Sequence, residues 1–121
     1  MTGGLTGKRI LVVEDEYYIA ADLKRALDQA GAVVVGPTGS IEQGLDLAAG
    51  PVDAALLDVN LHGKTSFEVA ERLDRRGVPF MFLTGYDSWA MPLRYESVAR
   101  LTKPYLLSKV IEAVEHMVAR A

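Results

Sequence analysis

Two short apolar runs that each end in acid constrain this chain more than any other feature. The first is Arg9-Ile10-Leu11-Val12-Val13, followed by Glu14-Asp15-Glu16. The second is Ala54-Ala55-Leu56-Leu57, followed by Asp58-Val59-Asn60-Leu61. Apolar runs of about four to eight residues bounded by polar residues read as strands buried on both faces. Strands of that kind belong to parallel sheets, which hold their ligands at the carboxyl ends of the strands. The two acidic ends therefore predict one shared acidic crevice, with Asp58 at its centre.

Helix-period segments alternate with the apolar runs. Ile19, Leu23, Ala26, Leu27 and Ala30 recur at helical spacing, and Gly31 stops that helix in the position where a left-handed residue is cheapest. Ala32–Val35 reads as a second strand and Gly36-Pro37 as a turn. Ser40 is placed to cap a helix carrying Ile41, Leu45 and Ala48, closed by Gly50-Pro51. Beyond Asp58, Asn60 to Lys64 reads as a loop, and Thr65 or Ser66 as the cap of a helix with Val69, Ala70 and Leu73 on its inner face. Val78 to Leu83 is a fourth strand that leads into Thr84-Gly85-Tyr86. Pro92 breaks the segment from Asp87 to Tyr95, because a ring at that position removes a helical hydrogen bond. At most a turn or two is expected there, with Trp89 and Leu93 against the body. Val98–Leu101 is a fifth strand, Lys103-Pro104 follows, and Leu107, Val110, Ile111, Val114 and Val118 line a last helix.

This alternation predicts an α/β chain of the flavodoxin-like kind. The sheet is doubly wound, five-stranded and parallel, with strand order 2-1-3-4-5 and a fourth helix short or missing. Residues 1–7 read as a flexible lead-in and 8–121 as one domain, ending in the last helix with no output domain expected. With 121 residues the chain is long enough to bury a core. It has no cysteine, which excludes disulfides and thiolate metal sites. A cytoplasmic setting is expected, with no membrane span or secretion signal. Net charge is −3 with no block of lysine or arginine, so nucleic acid is not an expected partner.

Strand order 2-1-3 brings Glu14, Asp15 and Asp58 together. At about 4 Å two unit charges cost roughly 4 kcal/mol at an effective dielectric near 20, and a cation relieves that cost. An all-oxygen set suits Mg2+. Asp15 and Asp58 are the expected direct ligands, the backbone carbonyl of Asn60 is a third candidate, and Glu14 is expected to act through water. The free oxygen of Asp58 can then attack phosphorus to give an aspartyl phosphate. Lys103 and Thr84, at the ends of the fifth and fourth strands, are placed to hold the phosphoryl oxygens. His62 and His116 are read as surface residues outside this set, and Tyr17, Tyr18, Trp89 and Tyr105 as packing residues.

Each reading has a plainer rival: Asp58 as a strand-end cap, Glu14-Asp15 as acids favoured at a helix N-terminus, Thr84 as a strand former and Lys103 as a solvated lysine. The set taken together, Glu14-Asp15, Asp58, Thr84 and Lys103-Pro104, resembles the receiver domain of two-component response regulators over about residues 8 to 120. The resemblance implies Asp58 as phosphoacceptor, Glu14, Asp15, Asp58 and Asn60 around Mg2+, and Thr84 and Lys103 on the phosphoryl group. It also implies a bacterial signalling protein, a monomer or weak dimer. Its partners would be a sensor histidine kinase or phosphotransfer protein, docking near the first and last helices, and a downstream protein target. Receivers usually carry an aromatic three residues before the lysine; here it is Arg100. Pro79-Phe80-Met81-Phe82-Leu83-Thr84-Gly85-Tyr86 is similar to the signature of the FATGUY single-domain regulators, with Leu83 in place of an alanine. Switching is accordingly expected through Thr84, Gly85, Tyr86 and the segment to Leu101, together with the last helix. A phosphohydrolase of the same fold needs an acid two residues past its nucleophile, and Asn60 cannot donate that proton. A receiver fold that no longer takes phosphate is the third reading.

Overall fold

The alternation within each apolar run decides how the sheet is covered. A computed structural model describes residues 4–85 and 91–120; Tyr86 and Trp89 lie outside the described residues. Five parallel strands, β1 (Arg9–Val13), β2 (Val33–Thr38), β3 (Ala54–Asp58), β4 (Phe80–Thr84) and β5 (Arg100–Thr102), pair in the order β2-β1-β3-β4-β5. Successive side chains of a strand point to opposite faces. Leu11, Val13, Leu57 and Phe82 therefore pack on one face, under helices α2 (Ile41–Ala48) and α3 (Phe67–Arg75). Ile10, Val12, Leu56 and Met81 pack on the other, under α1 (Tyr17–Gln29) and α4 (Leu107–Arg120). Ile10–Val13, Ala54–Leu57 and Phe80–Leu83 of the central strands are thus unbroken apolar runs because both faces are roofed. Fold class and strand order are as the sequence predicts.

Local chemistry sets the element ends. Gly31 ends α1 at φ 91° and Gly77 follows α3 at φ 71°, both in the left-handed region that glycine enters without steric cost. Ser40 Oγ accepts the backbone N–H of Gln43 at 3.2 Å and caps α2. Replacing Ser40 with alanine should cost about 1 kcal/mol of stability, seen as a lower urea midpoint with an unchanged slope.

Several expectations are corrected. Gly36-Pro37 is not a turn but part of β2, where the pairing with β1 slips between Leu11 and Val13. β2 is an edge strand, and an edge tolerates a proline with no N–H to give. The stretch after Asp58 is not an open loop. Asn60–Leu61 and Lys64–Thr65 form a small antiparallel hairpin across His62 (φ 50°) and Gly63 (φ 84°). Two positive-φ residues in succession are what a tight hairpin turn requires. In place of the fourth helix the described residues hold a single 3-10 turn, Leu93–Tyr95, which begins at Pro92. Leu93 is not tucked in; it is 85% exposed, while Tyr95 is 2% exposed. Tyr95 joins Phe67, Phe80 and Phe82 with ring centroids 5.6 to 5.9 Å apart. The lead-in is docked from Gly4 onward. Leu5 is fully buried beside Leu27 and Val114, and Gly7 N–H donates to Gly31 O at 2.9 Å.

Candidate functional site at the carboxyl edge of the sheet

β1 and β3 run in register, Val13 opposite Leu57, so the acids that follow each strand emerge side by side. The Glu14 N–H donates to Thr38 O at 2.8 Å, which holds the chain straight for one residue past β1. Gly39 packs against Asp15: a Cβ at Gly39 would stand 3.0 Å from Asp15 Cα. Across the sheet, Lys103 N–H donates to Thr84 O at 2.7 Å and ties the end of β5 to the end of β4. The Lys103–Pro104 bond is cis.

Lys103 Nζ lies 2.9 Å from Glu14 Oε1 and 3.4 Å from Asp58 Oδ2, and 4.0 Å from the exposed Glu16. Glu14, Asp15 and Asp58 each offer an oxygen within 4.8 Å of the others. The lysine predicted to face the acids therefore does so. Glu14, expected to work through water, has a fully buried side chain and meets the ammonium directly. The extra methylene that suggested a longer reach instead carries it under Lys103. Asn60 N–H faces Asp58 Oδ1 at 3.4 Å, and its side-chain oxygen accepts Gly63 N–H at 2.9 Å, within the hairpin turn. Thr84 is buried at the same edge, one residue beyond Leu83, the register partner of Asp58. Its hydroxyl makes no hydrogen bond among the described residues.

The charge balance sets the electrostatics. Three carboxylates face one ammonium. Burial first, then the Glu14 carboxylate, pushes Asp58 up to about 8 from its ordinary 3.8, and Lys103 only partly opposes this. Burial alone would lower Lys103, but Glu14 and Asp58 outweigh it and the ammonium is held above its usual range. Burial, reinforced by Glu14 and Asp58, also raises Tyr105, whose hydroxyl is buried without a partner. Two negative charges are left over once all three acids ionise. Glu14 Oε1 is buried and has no hydrogen-bond partner, its ion pair with Lys103 falling outside hydrogen-bond geometry. A dipositive ion with oxygen ligands fits both the charge and the donor set.

Sequence reasoning set His62 apart from this group. Its backbone N–H donates to Asp15 Oδ2 at 3.1 Å, and its Nδ1 lies 3.4 Å from the same oxygen. The only signal was its position four residues past Asp58 in a turn.

A crevice of acids and one lysine lies at the carboxyl edge of a doubly wound parallel sheet of the flavodoxin-like kind. Residues 10–115 match the response regulator receiver domain, and the chain belongs to that family. The transcriptional regulatory protein PdtaR of Mycobacterium tuberculosis is 29% identical over 118 residues, which cover 93% of this chain and 58% of that protein. The transcriptional regulatory protein TcrA of the same organism is 42% identical over 84 residues, covering 68% of this chain and 33% of that protein. The chain thus spans only part of the length of these two relatives. Among solved structures, SdrG from Sphingomonas melonis Fr1 matches with a TM-score of 0.80 and 35% identity, covering 97% of this chain and 99% of that one. Receiver domains act in signalling by response regulators rather than as turnover enzymes. No described helix is long and apolar enough to cross a membrane.

Proposed function

We propose that the chain takes a phosphoryl group onto Asp58 from a phosphohistidine of a sensor histidine kinase or phosphotransfer protein. An oxygen of Asp58 bonds to phosphorus as the phosphorus–nitrogen bond breaks, and the imidazole leaves with its electron pair. The observation that carries this reading is Lys103 Nζ bridging Glu14 and Asp58 at 2.9 and 3.4 Å. A fixed ammonium there offsets charge on the transferring oxygens without reorganising, which is where electrostatic catalysis is most effective. Thr84, at the same edge, is assigned as a hydroxyl donor to one of those oxygens. Mg2+ would be held by Asp15 and Asp58, with Glu14 beside it and the carbonyl of Asn60 as a further ligand. When bound it neutralises charge on the phosphoryl group.

The new group adds about −1.5 to −2 of charge. We assign the response to residues 84–101 and the C-terminal helix, which would present an altered surface to a downstream protein. Arg100 is exposed and donates to Glu96 O at 3.1 Å, which leaves Thr84, Gly85 and the following segment to carry the change. The Pro79-to-Tyr86 signature supports placement with the FATGUY regulators, and a cytoplasmic bacterial protein is the setting that goes with it.

The test is incubation with acetyl phosphate and Mg2+, followed by the intact mass. The expected result is one added phosphoryl group in the native protein and none in Asp58→Asn. Continuous release of phosphate without an adduct would favour a phosphohydrolase instead, and no adduct with intact Mg2+ binding would favour a binding module.

A further inference from the structure

His62 and His116 are the only histidines of the chain, and they lie at opposite ends of the sheet. His116 lines a cavity with Asp74, Arg94 and Tyr95, beside the start of β4. His62 stands at the acidic crevice. Its backbone N–H holds Asp15 Oδ2 at 3.1 Å, which pins the hairpin turn to the acid. Its Nδ1 lies 3.4 Å from that oxygen. Two atoms that bind one ion at about 2.1 Å stand roughly 3.4 Å apart at a tetrahedral angle and roughly 3.0 Å apart at a right angle. The ring and Asp15 therefore stand as two ligands of one ion do, while the imidazole lies outside the 4.8 Å set of Glu14, Asp15 and Asp58 and reaches it by turning. Its side chain is 79% exposed, so it can change rotamer without opening a packed neighbour. In the same crevice, Glu14 Oε1 is buried and faces the Lys103 ammonium at 2.9 Å.

We propose that His62 is a metal ligand that shifts the preference of this crevice from Mg2+ toward first-row transition divalent ions. The proposal rests on the reading of Glu14, Asp15 and Asp58 as a cation site. Magnesium is a hard ion that takes oxygen and gains little from imidazole. Affinity for sites with a nitrogen donor climbs from Mn2+ to Ni2+. The turn supplies that donor from outside the acidic set and leaves the three oxygens unchanged. The backbone bond to Asp15 orients the carboxylate in the manner of a supporting hydrogen bond to a ligand.

The experiment is calorimetric titration of the full chain, free of any added histidines, with Mg2+, Mn2+ and Ni2+. Native protein is compared with His62→Ala, His62→Gln and His116→Ala. Nickel binding is expected to weaken by about tenfold or more in both His62 variants. Magnesium binding should stay within about twofold, and His116→Ala should match the native protein for both ions. Visible absorption of bound Co2+ gives a second readout, and its bands should move in both His62 variants and stay put in His116→Ala. Equal nickel affinity with and without the imidazole, or equal losses for nickel and magnesium, would overturn the ligand role. The acetyl phosphate adduct with Mg2+, measured on His62→Ala, separates the two levels. An intact adduct with unchanged nickel binding removes only the role of His62. A native protein that binds no divalent ion removes the cation site as well.

Discussion

Replacing Lys103 with alanine should slow phosphoryl uptake at Asp58 by roughly 10²- to 10³-fold, the usual effect of deleting one fixed electrostatic donor. The same change should tighten Mg2+ binding. Lys103 is the positive charge next to Glu14 and Asp58, and without it a dipositive ion meets three carboxylates rather than three offset by one. Folding stability should fall by about 3 kcal/mol, since the fully buried Glu14 side chain loses its counter-charge. Adduct growth by intact mass, calorimetric Mg2+ titration and urea unfolding read the three effects separately. A parallel loss of uptake and Mg2+ binding would make Lys103 a prop for the fold and nothing more.

The second large effect is on pH dependence. Asp58 is held near 8 in the folded chain against 3.8 for an ordinary aspartate. The folded state therefore holds this proton more tightly than the unfolded state does. Its contribution to stability is complete below about pH 4 and is lost as pH rises from there through about 8. The full shift corresponds to roughly 6 kcal/mol, which solvent screening reduces, and the loss should be on the order of 2 to 4 kcal/mol in metal-free protein. Asparagine keeps the shape of the protonated acid and cannot ionise. Asp58→Asn should therefore match the native protein at pH 4 and exceed it in stability at pH 8. Adding Mg2+ at pH 8 should recover the native protein and leave the variant nearly unmoved. Because the ion displaces that proton, Mg2+ affinity should rise about tenfold per pH unit below 8. Denaturant unfolding across pH, with and without Mg2+, checks all of this. Identical pH profiles for the two proteins would contradict the assignment of the proton to Asp58.

The fold was legible where burial alone decides it. β1 from Ile10 to Val13 and β3 from Ala54 to Leu57 are apolar without a break because both faces of the sheet are covered, so they stood out without any alignment. Ser40 and Gly31 were readable because a cap and a left-handed stop depend on one residue each. That the described residues before β5 hold only a 3-10 turn followed from Pro92. The misreadings share a cause, which is that neighbours in space overrode a local rule. Gly36-Pro37 reads as a turn until β2 is known to be an edge strand. Leu93 and Tyr95 differ in exposure because the turn begun by Pro92 aims the tyrosine at Phe67, Phe80 and Phe82. Leu5 is one apolar residue among glycines and threonines, and nothing in the chain announces the pocket that takes it.

For the crevice, which residues converge was legible and which side chains touch was not. Asp58, Asp15 and Lys103 follow from the ends of three strands. The direct ion pair of Glu14 with Lys103 was not legible, because burial turns the side chain under the lysine. His62 depends on a two-residue hairpin too short to leave a periodic pattern, and only that hairpin brings its imidazole to Asp15.

The central claim is that the crevice makes Asp58, and neither of its acidic neighbours, the nucleophile. Borohydride reduction of the protein after exposure to acetyl phosphate and Mg2+ tests it directly, since hydride converts an acyl phosphate to an alcohol and leaves free carboxylates alone. Peptide mass mapping should find the reduced residue at position 58. A reduced residue at position 14 or 15, or none in a chain that binds Mg2+, would contradict it.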